Sequence, residues 1–223
     1  MADTAMYSAK GLGRNCYAFY QPQMTQAVAH HLNREQELRH ALQQRQFVLH
    51  YQPQFSAENQ DIVGMEALIR WQHPEKGLLS AAEVIPIAEN STLIIDIGTW
   101  VIEEACRQYR LWSDEFAENI RIAVNVSTKQ LREPEFVRIV TNALKANRMP
   151  GEFLELEVTE SSLQNCEASI VALRRVESLG VTISIDDFGT GYSCMSSLKS
   201  LPIHRLKIDQ SFVRDIPAEQ NDC

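Results

Sequence analysis

Leu154-Glu155-Leu156-Glu157-Val158-Thr159 alternates apolar and polar residues over six positions. Side chains of a strand point to opposite faces in turn, so Leu154, Leu156 and Val158 share one face and Glu155, Glu157 and Thr159 the other. Four further segments divide the same way. Met65, Ala67 and Ile69 oppose Gly64, Glu66, Leu68 and Arg70; Ile122, Val124 and Val126 oppose Ala123, Asn125 and Ser127. Val181, Ile183 and Ile185 oppose Thr182, Ser184 and Asp186, and Leu206 and Ile208 oppose Lys207 and Asp209. One face of every strand is aliphatic and suits packing beneath helices. The other carries Glu66, Asn125, Glu157, Asp186 and Lys207, each near the C-terminal end of its strand.

An open sheet covered by helices on both sides would not carry charges on one face of successive strands. A barrel with that face turned inward would, and its C-terminal rim would hold the site. Separately solvated charges would instead require five amphipathic strands in phase, each with water on its polar side. The segments between the strands agree with the barrel. Helices are expected over 81–89, 93–113, 133–147 and 167–179, alternating with strands over 120–126, 153–159, 181–186 and 205–208. Residues 47–55 and 62–71 also alternate, but only about six residues separate them. So short a connection makes an antiparallel hairpin, because a parallel crossover needs a dozen residues or more. The expected fold is therefore α/β, a TIM-like (β/α) barrel with an antiparallel first strand, cut after about six strands.

Three carboxylates and an amide oxygen suit hard divalent cations such as Mg²⁺ or Mn²⁺, and no His or Cys competes for a softer metal. Asp187 follows Asp186 directly, and both can reach neighbouring metals where the strand opens into a loop. Two metals about 4 Å apart activate a water and stabilise in-line displacement at phosphorus. Lys207 beside them would orient the water or neutralise developing charge, while Gln52 and Arg70 offer donors to a phosphate or a base. The loop Asp187-Phe188-Gly189-Thr190-Gly191-Tyr192 reads as a mobile cover over the metals rather than as a phosphate-binding turn.

The whole chain is compatible with this reading. Of 223 residues, 44% are hydrophobic and 22% charged, which is ordinary globular composition. Twenty-one Lys and Arg against 29 Asp and Glu leave a net charge of −8, a poor surface for long nucleic acid. A small anionic ligand remains accessible through metals. The five cysteines are scattered, without a CxxC pair, and read as reduced thiols rather than as a zinc site or a disulfide framework. No segment reads as a membrane span or a signal peptide, so a cytoplasmic location is expected. Ahead of the barrel, residues 1–20 read as a helix and a short edge strand, and 25–44 as a helix after the interruption at Pro22.

In order along the chain stand Tyr51-Gln52-Pro53, Glu66-Ala67-Leu68, Asn125-Val126-Ser127, Glu157-Val158-Thr159-Glu160, Asp186-Asp187-Phe188-Gly189-Thr190-Gly191 and Lys207-Ile208-Asp209. This set resembles the EAL domain, the family of phosphodiesterases that hydrolyse cyclic di-GMP to linear pGpG. The resemblance implies that Glu66, Asn125, Glu157 and Asp186 ligate metal, with Asp186 bridging and Asp187 serving a second ion. It further implies that Lys207 assists the attacking water and that Gln52 and Arg70 contact the dinucleotide. Glu160 would anchor the loop that the family uses for dimerisation and catalytic control, which implies a homodimer. Residues 1–20 resemble the end of a GGDEF domain. The implied arrangement is a GGDEF remnant over 1–20, a linker helix over 21–46 and an EAL domain over 47–223. The parent would then carry an upstream GGDEF domain and a sensor, with a membrane anchor possible in the upstream segments.

The family continues beyond the Lys207 strand with an Ala-Glu-Gly-Val-Glu motif whose glutamate belongs to its metal site. That motif lies past Cys223, so weakened binding of the second metal and impaired hydrolysis are expected. The alternative is a non-catalytic module that binds cyclic di-GMP or a protein partner.

Overall fold

The computed structural model describes residues 19, 22–116, 120–163, 167–189 and 201–214. The helix and edge strand expected over 1–20 lie outside the described residues, as do residues 190–200 of the loop after Gly189. The chain divides into two compact units, Met1–Val48 with Trp71–Leu93, and Leu49–Arg70 with Ile94–Cys223.

In the first unit, helix α1 spans Pro22–Gln43. The expected start after Pro22 is corrected: the helix begins on the proline, whose missing N–H is one that a first turn leaves unpaired anyway. Leu38 and Ala41 form its buried side. The helix ends in a Schellman arrangement, with Gln46 N donating to Ala41 O at 3.0 Å and Arg45 N to Leu42 O at 3.3 Å. Arg45 takes the left-handed conformation (φ 55°) that this cap requires. Strands β1 (Phe47–Phe55) and β2 (Ile62–His73) begin and end in this unit. A short strand absent from the sequence reading, β3 (Gly77–Leu79), pairs antiparallel with the end of β2, and helix α2 (Ala81–Asn90) follows. Trp71 is buried against Phe47, and its Nε1 donates to Gln46 Oε1 at 3.0 Å.

The second unit holds the rest of β1 and β2 and the strands β4 (Ile122–Asn125), β5 (Leu154–Thr159), β6 (Thr182–Phe188) and β7 (Arg205–Ile208). The ladder order is β1-β2-β4-β5-β6-β7. Ser56 N donates to Asp61 O at 2.8 Å, closing the β1–β2 hairpin across its six-residue connection. Every later pair is parallel. Helices α3 (Leu93–Phe116), α4 (Thr128–Leu131), α5 (Phe136–Ala146), α6 (Glu160–Leu163) and α7 (Glu167–Glu177) connect the strands. Ile122, Val124, Leu154, Leu156, Ile183 and Ile185 are buried with Ile102 and Ala105 of α3 and Leu173 and Val176 of α7. That is the aliphatic face read from the alternation.

Two local expectations are corrected. The helix expected from residue 133 starts at Phe136, because Pro134 sits in the turn before it and the separate one-turn helix α4 precedes it. β5 ends at Thr159 as expected, and Glu160 opens α6. On β7 the aliphatic face is not covered among the described residues: Leu206 is 47% and Ile208 63% exposed, and β7 ends the described sheet.

Candidate active site

The ladder registers set the polar residues side by side. Glu66 pairs across to Ala123, Asn125 to Glu157, Glu157 to Ser184, and Thr159 to Asp186. Strands β2 and β7 are four ladder steps apart, which in a flat sheet is roughly 19 Å at about 4.8 Å per step. Yet Lys207 Nζ lies 3.3 Å from Glu66 Oε2. The sheet must therefore curl with its polar face inside, as the phase of the five strands required.

Lys207 is the centre of the cluster. Its ammonium donates to Glu157 Oε2 at 2.7 Å and to Glu66 Oε2 at 3.3 Å, and lies 3.2 Å from Asp186 Oδ1. Asn125 Nδ2 donates to the other Glu66 oxygen at 2.9 Å. Of the sequence-derived set, Glu66, Asn125, Glu157, Asp186 and Lys207 thus come together. Asp187 stands at their edge, exposed, with a left-handed φ of 53° in an irregular stretch of the β6–β7 ladder. Burial, then the negative charges of Asp186 and Asp209, raise its pKa, while Lys207 opposes them. Gly189, two residues on, has φ 101°, and a Cβ there would stand 2.7 Å from the Phe212 ring. Only glycine fits that turn.

Gln52 is exposed on β1. Arg70 is partly buried on β2, where its Nη1 donates to the Ile69 carbonyl at 2.8 Å. Glu160 is buried at the start of α6. Among the described residues no hydrogen bond or ion pair joins Gln52 or Arg70 to the Lys207 cluster.

Electrostatically the cluster is short of positive charge, with Glu66, Glu157 and Asp186 facing one ammonium. The Glu157 side chain is 0% exposed. Burial is the main cause that pushes its pKa up to about 7; hydrogen bonding to Lys207 opposes this, and the charges of Glu66 and Asp186 add to it. Burial pulls the Lys207 pKa down, but its hydrogen bond to Glu157 and the three carboxylates together prevail and hold it above the ordinary range. Glu157 Oε1 is buried and has no hydrogen-bond partner among the described residues. An orphaned carboxylate oxygen in an all-oxygen donor set with excess negative charge fits a hard divalent cation.

Beneath this layer lies one that the sequence reading did not single out. The Glu155 side chain, 2% exposed, lies between Arg121 and Arg205, with Arg121 Nε 2.6 Å and Arg205 Nη1 2.8 Å from the same carboxylate oxygen. Its signal was present, since Glu155 shares the face of Glu157 and an inward carboxylate in the lower half of a strand demands a cation.

The EAL domain family model matches residues 35–222. The chain belongs to the EAL domain family. It is 46% identical over 223 residues to a Pseudomonas aeruginosa protein named bifunctional diguanylate cyclase/cyclic di-GMP phosphodiesterase MucR, covering 100% of this chain and 33% of that protein. Identity to the cyclic di-GMP phosphodiesterase PdeR of Escherichia coli is 40% over 216 residues, 96% of this chain and 32% of that protein. The EAL chain thus spans about a third of the length of these curated relatives. Among solved structures, the PaMucR phosphodiesterase in its c-di-GMP complex aligns with a TM-score of 0.80 at 46% identity, covering 85% of this chain and 77% of that one. The EAL enzyme Bd1971, in its cAMP and cyclic-di-GMP bound form, aligns with a TM-score of 0.83 at 35% identity, over 89% and 55% of the two chains. The antiparallel first pair and the parallel strands that follow are thereby the EAL fold, a TIM-like barrel. Among the described residues no helix is long and apolar enough to cross a membrane.

Proposed function

We propose that this EAL domain hydrolyses one phosphodiester bond of cyclic di-GMP, releasing linear pGpG. The observation that carries the reading is the Lys207 ammonium held within 3.3 Å of Glu66, Glu157 and Asp186. The names of its relatives support the substrate: MucR and PdeR are both called cyclic di-GMP phosphodiesterases.

In this reading Glu66, Asn125, Glu157 and Asp186 would hold Mg²⁺ or Mn²⁺, and Asp187 would serve a second ion. Bound there, the metals supply Lewis acidity at the phosphoryl oxygens and a water acidic enough to attack at neutral pH. The chain's own groups do the rest. Lys207 directs N–H bonds at the attacking water and neutralises charge that grows in the transition state. Asn125 fixes the orientation of the Glu66 carboxylate through its amide. Gln52 and Arg70 lie on the two strands of the hairpin and reach the dinucleotide. Glu160 anchors the loop that follows β5, and the active species is a homodimer in the cytoplasm. Residues 47–223 form the catalytic domain, 21–46 the linker helix, and 1–20 the end of a GGDEF domain of a longer signalling protein.

The test is release of pGpG from cyclic di-GMP by the 223-residue chain with Mg²⁺ or Mn²⁺. Slow turnover that EDTA abolishes is expected. Tight binding of cyclic di-GMP without hydrolysis under either metal would replace the enzyme with a binding module.

A further inference from the structure

Arg205 stands two residues before Lys207 on the same face of β7, and Glu155 two residues before Glu157 on β5. The Arg205–Glu155 contact at 2.8 Å therefore repeats, one layer lower, the Lys207–Glu157 contact at 2.7 Å. Both span β6, which separates the two strands in the ladder. Glu155 is in turn held by Arg121, whose Nη2 donates to Gln54 Oε1 of β1 at 2.8 Å. Arg121 O accepts from Met65 N at 2.8 Å, next to Glu66. The lower layer is thus anchored on the same strands that carry the upper one.

The backbone ladder cannot locate Lys207 by itself. β6 and β7 pair at Ser184↔Arg205 and Ile185↔Leu206, then only at Phe188↔Ile208, and the irregularity falls opposite Lys207. A bulge removes regular pairing and bends the strand. Among the described strands β7 has β6 as its single ladder neighbour. Regular pairing resumes at Arg205, where the side chain is clamped on a buried charge.

We propose that Arg205, held by the buried Glu155, is a positioning residue that sets where the Lys207 ammonium stands among Glu66, Glu157 and Asp186. Arg205 need not touch substrate or metal to do so; it fixes the strand two residues upstream of the group that does. The inference rests on the phosphodiesterase reading for its kinetic consequence, but not for its geometric one.

Arg205→Gln is the informative variant, because Glu155 keeps Arg121 as its counter-charge and no buried carboxylate is left alone. Arg205→Lys retains a cation at the same position. Two measurements on the full chain separate the inference from the proposed function. The first is kcat and KM for cyclic di-GMP: R205Q is expected to lose about 10-fold in kcat with KM within about 2-fold, and R205K to recover part of the loss. The second is acetylation of Lys207 by acetic anhydride in EDTA, read by mass spectrometry against the exposed Lys145. R205Q is expected to raise the Lys207 rate and leave that of Lys145 unchanged. If the parent chain does not hydrolyse cyclic di-GMP, the labelling still decides. Unchanged Lys207 labelling in R205Q, an equal rise at Lys145, or R205K behaving no better than R205Q would each overturn the proposal.

Discussion

Lys207 Nζ lies 2.7 Å from Glu157 Oε2, although β6 stands between their two strands. The contact follows from curvature: the inner face of a curled sheet brings alternate strands within side-chain reach. It makes Lys207 the counter-ion of a carboxylate that has no exposed surface. Much of what can be measured on this domain follows from that pair.

The first expectation concerns pH. Glu157 is pushed up to about 7, chiefly by burial, from its ordinary 4.5. Between these values the folded chain holds a proton that the unfolded chain has released, so the stability that Glu157 contributes is fully present below about 4.5 and is lost as pH rises through about 7. Urea unfolding in EDTA should show that slope for the parent chain and a flatter one for Glu157→Gln. Identical slopes would show that Glu157 does not carry it.

Removal of the lysine should act through the same carboxylates. Lys207→Met leaves Glu66, Glu157 and Asp186 facing each other without an ammonium. A loss of about 2 kcal/mol is expected at pH 7.5 in EDTA, less than for a fully buried pair because three of the four groups are partly exposed. The loss should shrink at pH 5, where Glu157 can take up a proton, and chemical denaturation at both pH values measures it.

Metal binding should release protons. A divalent ion on Glu157 competes with the proton that the metal-free site retains near pH 6, so binding and proton release are linked. Calorimetric titration of Mn²⁺ at pH 6, repeated in buffers of different ionisation enthalpy, should give heats that differ with the buffer. At pH 8.5 the buffer dependence should fade. Buffer-independent heat at pH 6 would remove Glu157 as a ligand that deprotonates on binding.

Gly98 of α3 supplies a packing test remote from the charges. A Cβ there would stand 1.9 Å from Gln130 Nε2. Gln130 is buried, and its Oε1 accepts from Ser127 N at 3.0 Å while its own N donates to Ser127 Oγ at 3.3 Å. Gly98→Ala must therefore displace the residue that caps α4, directly after the strand bearing Asn125. A loss of about 1–3 kcal/mol is expected, read as a lower thermal midpoint.

Cys106 should be inert. It is fully buried, and burial, with Glu103 adding to it, pushes its thiol up to about 12. Thiolate is the reactive form, so iodoacetamide at pH 8 should leave Cys106 unmodified in the folded chain and modify it in urea. Mass spectrometry of the Cys106 peptide distinguishes the two.

The polar face was legible because the strand period is a local property. Alternation alone set Glu66, Asn125, Glu157, Asp186 and Lys207 on one side of five strands, and the chemistry of oxygen donors pointed to a hard cation. The six-residue link between β1 and β2 likewise forced their antiparallel pairing. Parity carries no information past the strand end: Glu160 belongs to a helical turn, whose first residue follows helix geometry. The charges of the lower layer were visible as residues but not as a layer, since nothing in the order of the chain says that Arg121 and Arg205 meet at one oxygen of Glu155.

What the amino-acid order by itself determined is the set of groups, the face that each occupies and the kind of ion that they suit, because these depend on neighbours one or two positions away. Only the tertiary structure decided which groups meet. Lys207 and Glu66 are 141 residues apart, and their contact exists because register and curl across four ladder steps close the distance. The irregular ladder at Asp186 and Asp187 and the clamp of Arg205 on Glu155 are also products of that closure. Both depend on long-range pairing that no local pattern encodes.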